Sequence, residues 1–322
     1  MRSDYMRFVF SCLVIAFVFP FTASALAQFE PEPAGKGPRL DKSFTQRYRV
    51  GVKISSGAGP CRGLIATIPV PTDWPEQQVR IDDEEIGKAV RSVRYIPLGD
   101  GVKQMVVTVP FLPAGQLANA LVTCEITRFT TLPPADTTIF QMPKKLVLAE
   151  RRYLGTSPLI ESRHGDIRKK AREVLDAQSE ADAWKQVEAL YDFVRDNHTF
   201  QNGKLKGAVQ TLRDESGNEE DLHSLFIALC RASDIPARTV WIPDGAYAEF
   251  MLADDEGENH WIPCKLTGER EFGGVKCEFP ILQKGDNFDV PQRKEPVRFV
   301  PEFIKGTGGR PSIEFVRMPL PK

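Results

Sequence analysis

Few side chains in this 322-residue chain could act as a nucleophile or hold a metal, and spacing limits most of them. There are six cysteines and four histidines. Cys12 falls in an apolar N-terminal run, which leaves Cys61, Cys124, Cys230, Cys264 and Cys277. A reactive cysteine needs a thiolate, and therefore a helix N-terminus, a cation or an imidazole beside it. Cys230 stands eleven residues into a predicted helix over 219–233, about three turns from its start, and follows Phe226 by four on the apolar face. It reads as a buried, inert thiol. Cys264 and His260 are four apart on a predicted strand, about 13 Å from each other, too far for a base to reach a thiol. Glu219 and His223, at i and i+4, share a helix face and would make half a metal site. No third ligand stands at a motif spacing and no C-x-x-C pair exists, so no metal and no cofactor is expected. His223 reads instead as a partly buried, hydrogen-bonded side chain. Asn197-His198-Thr199 fits a glycosylation sequon, which matters only in a eukaryotic source.

The elements that must position these residues fall into two blocks. From Phe44 to about Met142 the pattern is short strands with period-2 alternation: Tyr48, Val50, Val52 and Ile54 on one face, and Met105, Val107 and Val109 likewise. The run Ala120 to Thr130 is another strand, and Ser56-Gly57, Gly99-Asp100-Gly101 and Pro113-Ala114-Gly115 mark turns. Many short strands with Gly and Pro punctuation predict a β-sandwich. No polar constellation stands out in it. The period then becomes helical, over Ile167 to Ala177, Ala181 to Asn197 and Glu219 to Ser233. Strands follow at Ala237 to Ile242, Ala246 to Leu252 and His260 to Leu266, and a late one near Ile313 to Arg317. The aromatic stripe of the second helix, with Trp184 and Phe193, is core rather than a ligand box.

The stretch Gly217-Asn218-Glu219-Glu220-Asp221-Leu222-His223-Ser224-Leu225-Phe226-Ile227-Ala228-Leu229-Cys230-Arg231-Ala232-Ser233-Asp234-Ile235-Pro236-Ala237-Arg238 resembles the core of the transglutaminase-like superfamily. The resemblance covers roughly 167–266. It implies an α+β fold, with a transglutaminase-like (papain-like) C-terminal domain following the N-terminal β-sandwich. In active members a cysteine opens this helix, a histidine on a neighbouring strand acts as base and acid, and an aspartate on the next strand orients it. Here Glu219 takes the cysteine position. The strand that normally reads His-Ala-Trp-x-Glu is Gly245-Ala246-Tyr247-Ala248-Glu249, which puts Gly245 at the histidine. The strand that normally reads Gly-Trp-x-Pro-x-Asp is His260-Trp261-Ile262-Pro263-Cys264-Lys265, which puts Lys265 at the aspartate. The resemblance therefore implies a pseudoenzyme: no catalytic residues, and a former substrate cleft bordered by Glu219, His223, Tyr247, Glu249, His260 and Trp261. Lys265 is expected to reach across Gly245 toward Glu219; the competing expectation is that both side chains turn out to solvent.

Arg2 and Arg7 flank the apolar run Phe8 to Phe21, and Ala25-Leu26-Ala27 supplies small residues for cleavage, so residues 1–27 read as a secretory signal peptide. The expected organisation is signal peptide 1–27, flexible leader 28–42, β-sandwich 43–145, transglutaminase-like domain 146–277 and C-terminal extension 278–322. The protein is then exported, periplasmic or secreted, with no membrane span left after signal cleavage. Removing Arg2, Asp4 and Arg7 moves the net charge from −1 to −2, no field for nucleic acid or an anionic membrane. An oxidising compartment permits disulfides. Spacing leaves the pairing open; Cys61–Cys124 and Cys264–Cys277 are the preferred pairs, with Cys230 left over. Two functions follow: a non-catalytic module that binds an extracellular or cell-envelope protein or peptide, or a cysteine-dependent amidase, peptidase or acyl-transferase with relocated residues.

Overall fold

The computed structural model describes residues 35–99, 101–291 and 293–321. The expected signal peptide, 1–27, and residues 28–34 of the expected leader lie outside them. Six strands come first: β1 (Arg39–Ser55), β2 (Cys61–Val70), β3 (Gln77–Ile86), β4 (Ser92–Gly99), β5 (Val102–Leu112) and β6 (Leu117–Leu132). A short helix α1 (Leu148–Arg151) and a 3-10 turn (Arg152–Leu154) lead to α2 (Gly165–Asp176), α3 (Ala183–Asn197), β7 (Thr199–Phe200), α4 (Ala208–Asp214), β8 (Ser216–Gly217) and α5 (Glu219–Ala232). Then follow β9 (Ala237–Ile242), β10 (Gly245–Ala253), β11 (Asn259–Lys265), β12 (Glu271–Phe272), β13 (Gln283–Lys284), β14 (Phe303–Gly308) and β15 (Ser312–Pro319).

The first strands form a sandwich of two four-stranded sheets, β15-β1-β6-β3 and β14-β2-β5-β4. Side chains alternate across a strand, so Tyr48, Val50, Val52 and Ile54 of β1 meet Met105, Val107 and Val109 of β5 in one inter-sheet core. The expected domain limits need correction at both ends. Arg39 to Lys42, placed in the leader, already belong to β1, with Arg39 opposite Leu132. The supposed C-terminal extension supplies an edge strand to each sheet: β15 pairs with β1 from Tyr48↔Pro319 to Ser55↔Ser312, and β14 pairs with β2. A sheet edge is a row of unpaired backbone groups, and the returning chain covers it.

A third sheet, β12-β11-β10-β9-β13, carries α5 on one face. Ala248, Phe250, Leu252, Ile262 and Cys264 face the helices in the larger core. Val240, Ile242 and Tyr247 face the other way and pack with Val275 and Ile281. α5 is buried nearly all round because α2, α3 and α4 surround its other sides, and Leu225 through Cys230 are fully buried. α4 and β13 were not legible in the sequence pattern.

The domain and the sandwich are joined by buried polar contacts. Gln77, fully buried, accepts from Ile281 N at 2.6 Å and donates to Ile281 O at 3.0 Å. The Lys284 ammonium lies 2.6 Å from both Glu76 and Glu249, and Glu249 also pairs with Arg238 at 2.7 Å. Gly35–Lys322 thus forms one compact unit.

The expected disulfides are absent, and all five cysteines in the described residues are free. Cys61 sits on β2 of one sheet, its thiol toward Ser56 O at 4.0 Å, while Cys124 sits on β6 of the other sheet between Tyr48 and Ile81. Cys264 points into the helix-side core, whereas Cys277 packs with the cluster on the opposite face of the third sheet. Opposite faces of the third sheet separate Cys264 from Cys277, whereas Cys61 and Cys124 enter the same sandwich core from different sheets and stay unbonded.

Candidate functional site

The start of α5 is built by its own sequence. Asn218 Oδ1 accepts from Asp221 N at 2.9 Å, and the Asp221 carboxylate accepts from Asn218 N at 3.2 Å, a reciprocal cap. The other Asp221 oxygen takes the N–H groups of Lys206 and Gly207 at 2.8 and 2.9 Å, which ties the preceding loop to the helix start. Glu219, at the first helical position, has a carboxylate favoured by the helix dipole.

Opposite it, β9 and β10 are joined through Pro243-Asp244, with Ile242 paired to Gly245. Proline sets the first turn position, and Asp244 takes the left-handed conformation at φ 58° that aspartate tolerates. Gly245 therefore opens β10 directly under Glu219. A Cβ at Gly245 would stand 2.9 Å from Glu219 Oε2, so the carboxylate occupies the space a side chain there would need. Lys265, the last residue of β11, brings its Nζ to 3.7 Å from Glu219 Oε1, and Thr267 Oγ1 donates to the same oxygen at 3.1 Å. The three positions Glu219, Gly245 and Lys265 are thus one site.

His223 lies one turn behind Glu219 and is 1 % exposed. Its Nε2 accepts from Leu266 N at 3.1 Å, so Nδ1 carries the proton and donates to Glu219 O at 2.6 Å. Burial holds its pKa down to about 4, against the weaker pull of that backbone bond. His223 is a neutral clamp between α5 and the turn after β11, with no lone pair left for chemistry.

Two cavities flank the Glu219–Gly245 contact and share Glu219, Ile242, Pro243, Asp244 and Gly245. One, of about 700 Å³, runs past Trp241, Phe299 and Phe200 to Tyr48 and Arg317 of the sandwich. The other, of about 610 Å³, runs past Lys265, Tyr247 and Cys277 to Phe279 and the β1 residues Phe44 to Gln46. Together they make a groove, with the sandwich as part of its wall and the half-exposed rings of Phe200 and Phe279 in its two arms. A separate cavity of about 360 Å³ beside α2 shares none of these residues, and its Lys170–Glu173 and Arg213–Asp166 charges pair with one another.

Three expected cleft residues are elsewhere. His260 sits at the far end of β11, where its Nε2 is 2.9 Å from the Asp254 carboxylate. Trp261 stacks under Arg238, 3.9 Å from the ring centroid. Glu249 is 2 % exposed and belongs to the buried ion cluster on the sandwich side. Successive strand residues point to opposite faces, and five positions along β11 separate His260 from Lys265 by about 16 Å. Tyr247 does border the groove, and its hydroxyl accepts from Arg128 at 3.0 Å. Sequence reasoning missed Asp244, Thr267 and Cys277. The Pro-Asp-Gly turn between two strands could have drawn attention to Asp244; nothing local marks Cys277.

Burial raises the Cys277 pKa, and still more those of Cys230 and Cys264. The described residues hold no cluster of three His, Cys, Asp or Glu side chains able to take a metal. None of their helices is long and apolar enough to cross a membrane.

Residues 168–269 match the family model of the transglutaminase-like superfamily. Among solved structures, a candidate cysteine protease from Cytophaga hutchinsonii aligns over 88% of this chain and 93% of its own, at TM-score 0.53 and 17% identity. A candidate protease from Parabacteroides distasonis aligns over 74% and 48% at TM-score 0.28 and 14% identity, and adds nothing to the fold assignment. No curated protein matches. The helix, turn and strands that present Glu219, Gly245 and Lys265 are therefore those of a transglutaminase-like domain of papain-like fold, held within an α+β chain.

Proposed function

We propose that this chain is an exported, non-catalytic transglutaminase-like module that binds an extended peptide or protein segment in the groove crossing Glu219 and Gly245. The observation that carries this reading is the Glu219–Lys265 pair, 3.7 Å apart over Gly245; the family resemblance assigns these three positions the cysteine, histidine and aspartate of active members. A carboxylate at a helix start is a stabilised anion and a poor nucleophile. The two cavities on either side suit a ligand that passes over the pair, and the sandwich wall would make its binding depend on both parts of the chain. Export rests on the N-terminal basic, apolar and small-residue pattern alone.

The second reading, a cysteine enzyme with relocated residues, has one observation in its favour: Cys277 borders the groove. Burial raises its pKa, and His223 has both ring nitrogens engaged, so neither a thiolate nor a base is supplied. Panning random peptides against the exported protein should return binders whose capture is lost in Gly245→Trp, with the unfolding midpoint kept. Amide hydrolysis and amine transfer should stay at background. Turnover that disappears in Cys277→Ala would overturn the non-catalytic reading, and a panning experiment that returns no binder would overturn the groove.

A further inference from the structure

The segment joining the sandwich to the helices holds an apolar tip that none of the described residues covers. α1 buries none of its residues. Leu148 is 86 % exposed and the preceding Val147 63 %, so two adjacent aliphatic side chains face solvent. Lys144, Lys145 and Arg151, within four residues of them along the chain, are all exposed, and none has an ion pair among the described residues. Arg151 Nε donates to Leu146 O at 3.0 Å, which holds its guanidinium beside the tip.

The tip is rigidly presented. Glu150 Oε2 accepts from Val147 N at 2.9 Å and from Asn259 Nδ2 at 3.0 Å, and Asn259 also donates to Lys145 O at 2.9 Å. Contact with a flat surface would need little ordering of the backbone.

The same hairpin end receives the N-terminal stretch. Lys36 Nζ lies 2.6 Å from Asp255 and 2.8 Å from Glu256 in the β10–β11 turn, next to Asn259. Lys36 offsets two of the turn's four carboxylates and leaves Asp254, which lies 2.9 Å from His260 Nε2, and Glu258. At physiological salt the screening length is about 8 Å, so the charges at the contact count for more than the net charge of the chain.

We propose that Val147 and Leu148, with Lys144, Lys145 and Arg151, form a peripheral contact for an anionic phospholipid surface. The aliphatic pair enters the headgroup boundary while the three cations meet lipid phosphates, giving the weak, reversible attachment of a single small anchor. The contact is separate from the groove and does not depend on the reading given to it.

Vesicle flotation of the exported protein tests it, with phosphatidylcholine vesicles that contain or lack phosphatidylglycerol. The wild type should float with the anionic vesicles and be released by salt. Leu148→Glu should lower the bound fraction about tenfold, and Lys144→Ser and Lys145→Ser about fivefold each, with unfolding midpoints unchanged. Failure of the wild type to float overturns the proposal. So does flotation that the three variants leave intact, which would assign binding to another part of the chain. A concentration-dependent dimer abolished by Leu148→Glu without any vesicle binding would overturn it as well, in favour of a contact between copies.

Discussion

Two carboxylate–ammonium pairs stand near one another on the third sheet and its flanking helix, and they differ in nearly everything but chemistry. Glu249 and Lys284 meet at 2.6 Å with both side chains 3% exposed, and Arg238 and Glu76 complete the cluster. Glu219 and Lys265 meet at 3.7 Å with side chains 27% and 33% exposed. Burial alone would raise the Glu249 pKa, but Lys284 and Arg238 outweigh it and hold the carboxyl at about 2. Water was excluded from the first pair so that the sheet could dock on the sandwich, and each charge there has become indispensable to the other. The second pair remains wet at the edge of a groove, where a ligand could separate the partners at little cost. The same two groups make a structural weld in one place and an available surface in the other.

Breaking the weld should have the largest effect. Lys284→Met leaves Glu76 unpaired and Glu249 with Arg238 alone, and should cost about 3–5 kcal/mol in urea unfolding. Arg231→Met should cost a similar amount, because it strands Asp286, which Arg231 grips at 2.8 and 2.9 Å in full burial. A loss below about 1 kcal/mol in both would mean that the buried clusters are worth no more than surface pairs.

The clamp behind the groove should set a pH limit. His223 has a folded pKa of about 4, below the ordinary value of 6.5, so the unfolded chain binds the proton more tightly. Its contribution is full above about pH 6.5 and is lost as pH falls toward 4, a difference of about 3 kcal/mol. Unfolding free energies at the two ends of that window, for the wild type and His223→Gln, should differ in slope by that histidine. Identical slopes would remove the clamp from the account.

The groove pair should matter least to stability. Glu219→Gln and Lys265→Ala should each shift it by about 0–1 kcal/mol. A loss as large as that of Lys284→Met would erase the contrast between the two pairs. Smaller still is the expected chemical signature. Among the five cysteines of the described residues, Cys277 alone should be alkylated in the native protein, and slowly, since burial raises its pKa; all five should react in denaturant.

Local pattern made much of the domain legible. The limits of α5 and β9 follow from an asparagine cap, an acidic first turn, an apolar face and the Ile235-Pro236 break, all within a few residues of one another. The convergence of Glu219, Gly245 and Lys265 was legible because the family frame carries the spacing. α4 escaped because seven residues are too few for a helical period to declare itself. Glu249 and His260 were misplaced for a different reason: a motif gives order along the chain, whereas strand parity and strand length decide which face and which end a side chain reaches.

What the chain determined by itself is what neighbours in sequence can decide: the apolar run at its start, the strand alternation, the capped helix and the turn that opens β10 at glycine. What only the tertiary structure decided are partnerships across long separations. β15 closes β1 across more than two hundred residues, Cys264 and Cys277 lie on opposite faces of a sheet, and Lys284 finds Glu76 and Glu249 in a dry interface. Those partners share no local pattern. Each is selected by the common need to bury apolar surface while leaving no charge unpaired, and that need can be met only once the sheets are packed.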